Sequence, residues 1–386
     1  MVRAFAQEEA EVERFQAVNQ RYYQSSIRLT FTRNLLGPVM ALLGTGSALV
    51  ALWYGAHRVL AGHITVGDLV EFHGRLALMA WPTLALGWIL AVWQRGKASL
   101  ERLNEIFVVA PTIASAGKPV APPAREGAVG LRSVGVQRTA EKQAPRWTLQ
   151  DVDITLPARG FLGVVGGTGS GKSTLAGLLP RLRDPTTGAV LVDDVDVRAR
   201  ALPSLRHDVA LAPQEAFLFS TSILENLRFG RPDASEDEVK RVVELLSLEQ
   251  DISQLPQGWS TVVGEKGITL SGGQRQRVAL GRALLCEPRV LVLDDTVSAV
   301  DAETEEKILH ALRAEAHRRT LVVISHRLSA VKDADEIVVL DAGRIVERGG
   351  HEELLRKGGR YAALWGRERV LRDLEKMDAS QKEQVA

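Results

Sequence analysis

The chain has 386 residues, room for two or three domains, with 45% apolar residues, 25% charged residues and a formal net charge of +1. That balance removes any whole-chain electrostatic case for a nucleic acid partner, and none is expected. The single cysteine, Cys286, excludes a disulfide framework, and Met1 is not followed by the basic stretch and apolar core of a signal peptide.

The average hides a polarity shift along the chain. Residues Gln7 to Arg33 are charged and read as helix. Leu35 to Ala56 and Leu76 to Gln94 then carry no charged residue at all. Each run is long enough to cross about 30 Å of hydrocarbon as a helix. The competing reading is a pair of buried helices in a soluble bundle. Against it, the apolar residues do not keep to one face, and Trp53, Tyr54, Trp81, Trp88 and Trp93 suit membrane interfaces or packing between spans. The spans are placed at about residues 34–58 and 74–95, and the short connection Arg58–Asp68 makes them a hairpin. Arg14, Arg21, Arg28 and Arg33 precede the first span, and Arg95, Lys97 and Arg102 follow the second. The connection has only Arg58 with His57 and His63, so both ends should face the cytoplasm of a plasma or inner membrane, with membrane lipid around the spans. Pro38 and Pro82 fit helices whose neighbours satisfy the freed backbone groups. Asp68, Glu71 and Arg75 read either as part of a substrate path or as an interfacial cluster.

Residues 110–128, with Pro111, Pro119, Pro122 and Pro123 among small residues, read as a linker. From 129 to 366 short β-branched runs alternate with longer amphipathic stretches, the pattern of an α/β domain. The clearest strands are Phe161–Val165, Ala189–Val192, Val209–Ala212, Val290–Leu293 and Leu321–Ile324. A hairpin is expected over Glu336–Val346, turning at Asp341–Gly343. The charged tail 367–386 reads as a solvated helix or disordered.

The strand Phe161–Val165 runs into Gly166, Gly167, Thr168, Gly169, Ser170, Gly171, Lys172, Ser173 and Thr174, which fits G-x-x-x-x-G-K-[ST] in full and opens a helix. Glycines let backbone N–H groups turn around phosphate oxygens, and the helix N-terminus adds its positive end. Lys172 is expected to reach the β- and γ-phosphates and Ser173 to ligate Mg²⁺. The apolar strand Val290–Leu293 ends in Asp294, the Walker B arrangement, where a carboxylate holds Mg²⁺ directly or from behind its ligands. A strand ending in aspartate is common by itself and takes its weight from the phosphate loop upstream.

Leu270-Ser271-Gly272-Gly273-Gln274 then resembles the signature of ATP-binding cassette (ABC) proteins. The resemblance implies two cassettes packed head to tail, with each ATP between one phosphate loop and the other cassette's Ser271–Gln274 equivalent. By the same resemblance Gln214 is the Q-loop residue that touches Mg²⁺ and faces the membrane domain. Glu265 precedes the signature as in exporters, Asp301 lies in the loop at the dimer interface, and His326 is the switch histidine at γ-phosphate. Val2–Glu9 and Ile64–Leu69 resemble segments flanking the last membrane helices of ABC exporters, so the likeness covers nearly the whole chain.

Three departures matter. The residue after Asp294 is Asp295, where the family carries its catalytic glutamate. It is one methylene shorter, and a misplacement of about 1 Å can cost about 10²-fold in rate. Asp-Asp with an intact signature resembles the degenerate-site half of heterodimeric exporters, so a heterodimer is preferred over a homodimer. Secondly, the aromatic residue expected to stack on adenine falls at Arg138, with Trp147 a nearby substitute. Thirdly, exporter subunits of this kind carry more membrane helices than the two read here, which suggests an N-terminally truncated start or helices supplied by another chain. The expected fold is an α-helical transmembrane hairpin in residues 1–109, then an α/β P-loop NTPase cassette with a helical subdomain around Glu215–Leu284. The expected function is ATP hydrolysis coupled to export of a drug, lipid or peptide, with ATP and Mg²⁺ bound. The alternative is a regulatory or inert subunit that binds ATP without competent hydrolysis or transport.

Overall fold

Nothing between Arg33 and Leu35 punctuates a helix, and the charged opening segment continues into the first apolar run as one element, α1 (Glu8–Leu60). The computed structural model describes residues 2–138, 145–264, 270–296, 300, 302–314 and 318–370, in two units, Met1–Ala110 and Pro111–Ala386. In the first unit a short turn leads to α2 (Val66–Phe107). Thr65 caps α2 by accepting the Asp68 N–H at 3.2 Å, while the Asp68 carboxylate accepts the Thr65 N–H at 2.8 Å. This reciprocal capping box explains Asp68 locally, and Glu71 pairs with Arg75 one turn on. Of the two readings of this cluster, the geometry favours the structural one. Both helices are long and apolar enough to cross a membrane, and almost none of either apolar stretch is buried.

The two helices meet at a small residue. A Cβ on Gly55 would lie 2.2 Å from the Leu69 Cδ1, and His73 Nε2 lies 3.1 Å from the Ala48 carbonyl oxygen. Small residues let helix backbones approach closely in lipid. A Gly55→Leu substitution should therefore separate the helices and lower stability by about 1–3 kcal/mol, the usual range for overpacking. Thermal unfolding of the full chain in detergent checks this.

In the second unit a six-stranded sheet has the order β10-β9-β3-β8-β7-β6. Its strands are β3 (Phe161–Gly166), β6 (Val209–Ala212), β7 (Val290–Asp294), β8 (Thr320–Ile324), β9 (Glu336–Asp341) and β10 (Arg344–Gly349). All neighbours are parallel except β9 and β10, which form the expected hairpin. Parallel strands covered on both faces read as unbroken apolar runs. Accordingly Leu162 and Val164 enter one core, whereas Phe161 and Val165 enter the other.

The first core lies under an antiparallel sheet of order β2-β1-β4-β5, formed by β1 (Val129–Arg138), β2 (Arg146–Leu156), β4 (Thr187–Val192) and β5 (Val195–Asp196). It also holds Leu175, Ala176 and Leu178 of α3 (Lys172–Leu178). The second core gathers the helical arm between β6 and β7: α5 (Ile223–Arg228), α6 (Glu236–Leu245), α7 (Glu249–Ser253) and α8 (Gly272–Leu285). The proline-rich segment before β1 lies against Arg181, Ala199 and Asp208 of this unit. Arg181 Nη1 donates to the Ala114 carbonyl at 3.0 Å, Val120 N–H to Ala199 at 2.9 Å, and Arg125 Nη2 meets Asp208 Oδ1 at 2.8 Å.

Candidate functional site

In a parallel sheet ligands bind beyond the carboxyl ends of the strands, and four of these ends carry the predicted residues. β3 delivers the loop Gly166–Gly171, β6 delivers Gln214, β7 delivers Asp294 and Asp295, and β8 delivers Ser325 and His326.

The loop is held from outside by the β9–β10 turn. Gly343 N–H donates to the Ser170 carbonyl at 3.1 Å, and the Gly343 carbonyl accepts Gln150 N–H at 2.8 Å. Gly171 has φ +105°, and a Cβ there would lie 2.6 Å from the Thr148 carbonyl oxygen, so both conformation and space demand glycine. Gly167 and Gly169 face open space, where a ligand could approach the backbone. Gly166, Gly167, Thr168, Gly169, Ser170, Gly171, Lys172, Ser173 and Thr174 are thus gathered at one strand-to-helix turn. Lys172 is 6% exposed, and its ammonium turns back to donate to the carbonyls of Gly166 and Gly167, both at 2.8 Å. Burial pulls its pKa down, against the opposing pull of Asp295 and Asp294. Ser170 Oγ is buried with no hydrogen-bond partner among the described residues.

The Ser173 hydroxyl lies beside the Asp294 carboxylate. Burial raises the Asp294 pKa, with Ser173, Lys172 and His326 pulling the other way. A triphosphate with Mg²⁺ fits these residues. A buried cation lies against a glycine loop that is open at Gly167 and Gly169, and the Ser173 hydroxyl and Asp294 carboxylate are hard oxygen donors. Among the described residues no cluster of three or more His, Cys, Asp or Glu could cage a metal.

Asp295 is 8% exposed and sits in the left-handed region, φ +51°. Its N–H donates to Ile324 at 2.8 Å, its Oδ1 accepts the His326 N–H at 3.3 Å, and its Oδ2 lies 3.5 Å from Gln214 Nε2. Asp295, Gln214 and His326 therefore converge, with the Gln214 and His326 side chains exposed to solvent.

Ser271, Gly272, Gly273 and Gln274 stand elsewhere, at the start of α8 on the helical arm. Ser271 Oγ accepts the Gln274 N–H at 3.2 Å and Gln274 Oε1 accepts the Ser271 N–H at 2.9 Å, a second reciprocal capping box. Among the described residues no hydrogen bond joins this segment to the phosphate loop. Asp301 and Glu265 lie outside the described residues. Arg138 ends β1 opposite Arg146, and the Trp147 ring packs where a Cβ of Gly135 would be, with its Cζ3 at 2.8 Å. Sequence reasoning missed the clamp on the loop by Gly343 and the role of Asp251 against Gln274. The turn residues at Asp341–Gly343 were the only signal for the first.

Two family models match the chain, one described as ABC transporter over residues 149–298 and one as ABC transporter transmembrane region over residues 1–82. The chain is 37% identical over 370 residues to the probable multidrug resistance ABC transporter ATP-binding/permease protein YheI of Bacillus subtilis, covering 96% of this chain and 63% of that protein. It is 36% identical over 365 residues to the multidrug resistance-like ATP-binding protein MdlA of Escherichia coli, covering 95% and 61%. A solved structure of a bacterial Atm1-family ABC exporter with ATP bound matches with a TM-score of 0.83 at 33% identity, covering 95% of this chain and 64% of that chain. The chain thus spans less than two thirds of the length of these relatives.

Proposed function

The chain belongs to the ABC transporter family, as a helical membrane region fused to an α/β ATP-binding cassette, and from that premise we propose that it is the ATP-hydrolysing subunit of an exporter. The observation that carries this reading is the meeting of Lys172, Ser173, Asp294 and Gln214 around one open loop at the carboxyl edge of the sheet. Lys172 holds the β- and γ-phosphates, and the loop N–H groups orient the γ-phosphorus for in-line attack by water. Mg²⁺, when bound by Ser173 and Asp294 with Gln214 beside it, neutralises charge on the phosphate oxygens. The carboxylate of Asp295 and the His326 side chain face the attacking water and the γ-phosphate. The Ser271–Gln274 segment completes the ATP site of a second cassette, and Asp301 lies at that interface. The paired subunit is a related exporter chain rather than a second copy. Closing of the two cassettes on ATP, and reopening on hydrolysis, drives export of a drug, lipid or peptide through the membrane helices. The relatives, named as multidrug transporters, support the exporting reading over an inert subunit.

The test is ATP turnover of the full chain in lipid, alone and mixed with a related subunit that has glutamate after its Walker B aspartate. Slow turnover alone and fast turnover in the mixture are expected. Fast turnover by the chain alone would make it a self-sufficient homodimer.

A further inference from the structure

Asp251 sits on α7, whose neighbouring Ile252 is 3% exposed and buried in the second core. Its two carboxylate oxygens are used separately, and both point at α8. Oδ1 accepts from Gln274 Nε2 at 2.7 Å, and Oδ2 meets Arg277 Nη2 at 2.8 Å. Arg277, one turn along α8, also donates from Nη1 to the Ser247 carbonyl at 2.6 Å, just before α7. The carboxylate therefore ties the first turn of α8 to an element anchored in the core.

We infer that Asp251 is a positioning residue for the Ser271–Gln274 segment, fixing the geometry with which this chain meets a second cassette's ATP. The inference rests on the proposed role of that segment. Gln274 is the hinge of the argument. Its amide has one oxygen and one nitrogen, and the capping box needs the oxygen on the Ser271 N–H. A carboxylate accepts hydrogen bonds only, so Asp251 admits only the nitrogen. The amide then has one orientation, and the cap cannot be lost by a flip. Ser271 Oγ accepts the Gln274 N–H, which leaves its own proton for an incoming phosphate oxygen. A glutamate in place of Gln274 would close the same capping box. It would also set a second carboxylate against Asp251. Glutamine at this position and Asp251 are thus a matched pair, and Arg277 occupies the second carboxylate oxygen.

The experiment uses the full chain in lipid with its proposed partner subunit. Three readouts are taken: ATP turnover, affinity of the chain's own loop for a fluorescent ATP analogue, and backbone amide exchange over 270–276 without nucleotide. Losing a hydrogen bond to a charged group costs about tenfold or more in the equilibrium it supports. Asp251→Ala should lower turnover about tenfold, speed exchange over 270–276, and leave analogue affinity unchanged. Gln274→Glu should be impaired in the same way, and the double variant Gln274→Glu with Asp251→Asn should recover part of the loss, because asparagine can donate where aspartate could not. Wild-type exchange over 270–276 in Asp251→Ala overturns the inference, and this readout needs no hydrolysis. So does a fall in analogue affinity in step with turnover, which would mark general damage, or a double variant no better than Gln274→Glu. Failure of the wild-type chain to bind the analogue would instead sink the proposed function.

Discussion

Replacing Lys172 with alanine lowers ATP turnover about 10²- to 10³-fold, the cost typical of removing one preorganised donor from a developing oxyanion. The fold should survive the change. The ammonium contributes hydrogen bonds only to Gly166 and Gly167, carbonyls of the loop it belongs to, while the loop is also held by Gly343 on Ser170 and by glycine-specific packing at Gly171. Burial already penalises the charged lysine, so removing the charge relieves a cost to the folded protein. The loss therefore falls on nucleotide, not on stability. Arriving phosphates replace the two carbonyls as partners of the ammonium and favour its charged form. Because the pKa is depressed before binding, affinity for ATP should weaken with rising pH sooner than an ordinary lysine would dictate. Calorimetric titration with ATP across alkaline pH, with thermal unfolding as a control, separates these effects. A Lys172→Ala chain that turns over ATP at the wild-type rate would remove the loop from the chemistry.

Much of this site was legible because its strands are buried on both faces. Val290–Leu293 and Leu321–Ile324 are unbroken apolar runs, and an unbroken run that stops at a carboxylate or a histidine announces where the sheet ends. The loop was legible because backbone geometry and phosphate chemistry both constrain residue type there. Of the antiparallel sheet only β4, expected over Ala189–Val192, was legible. β1 carries Arg132, Ser133, Gly135 and Gln137, and its pairing with β2 shifts register between Leu131 and Val134, between Val134 and Val136 and again at Gln137. Each shift breaks the two-residue alternation on which a strand is recognised. The pairing of Asp251 with Gln274 was hidden for another reason. An aspartate on a short polar helix reads as an ordinary solvated residue, and only the fold brings it to the cap of α8. Asp68 shows the converse: a charge beside an apolar span invited a substrate-path reading, whereas the Thr65 capping box accounts for it.

Substituting Asp295 with glutamate raises turnover at this chain's own ATP site, by up to about 10²-fold, and costs a little stability. Two features of the site set the two signs. The aspartate is held close to the protein: Oδ1 accepts the His326 N–H at 3.3 Å and Oδ2 lies 3.5 Å from the Gln214 amide. On the proposed mechanism, a carboxylate held against Gln214 and the β8 end faces the attacking water but stands short of it. One added methylene extends the carboxylate by about 1 Å, the scale on which misplacement of a reacting group costs about 10²-fold. The backbone opposes the exchange. Residue 295 has φ +51°, a conformation that aspartate tolerates better than glutamate, because a short polar side chain can satisfy neighbouring backbone groups there. The penalty should be under about 1–2 kcal/mol, the full cost of that region for an ordinary residue. Turnover and melting temperature of the Asp295→Glu chain therefore move in opposite directions. Were turnover to stay flat while the melting temperature fell, the shorter carboxylate would not be what slows this site, and hydrolysis in the assembly would be limited by closure of the two cassettes around ATP.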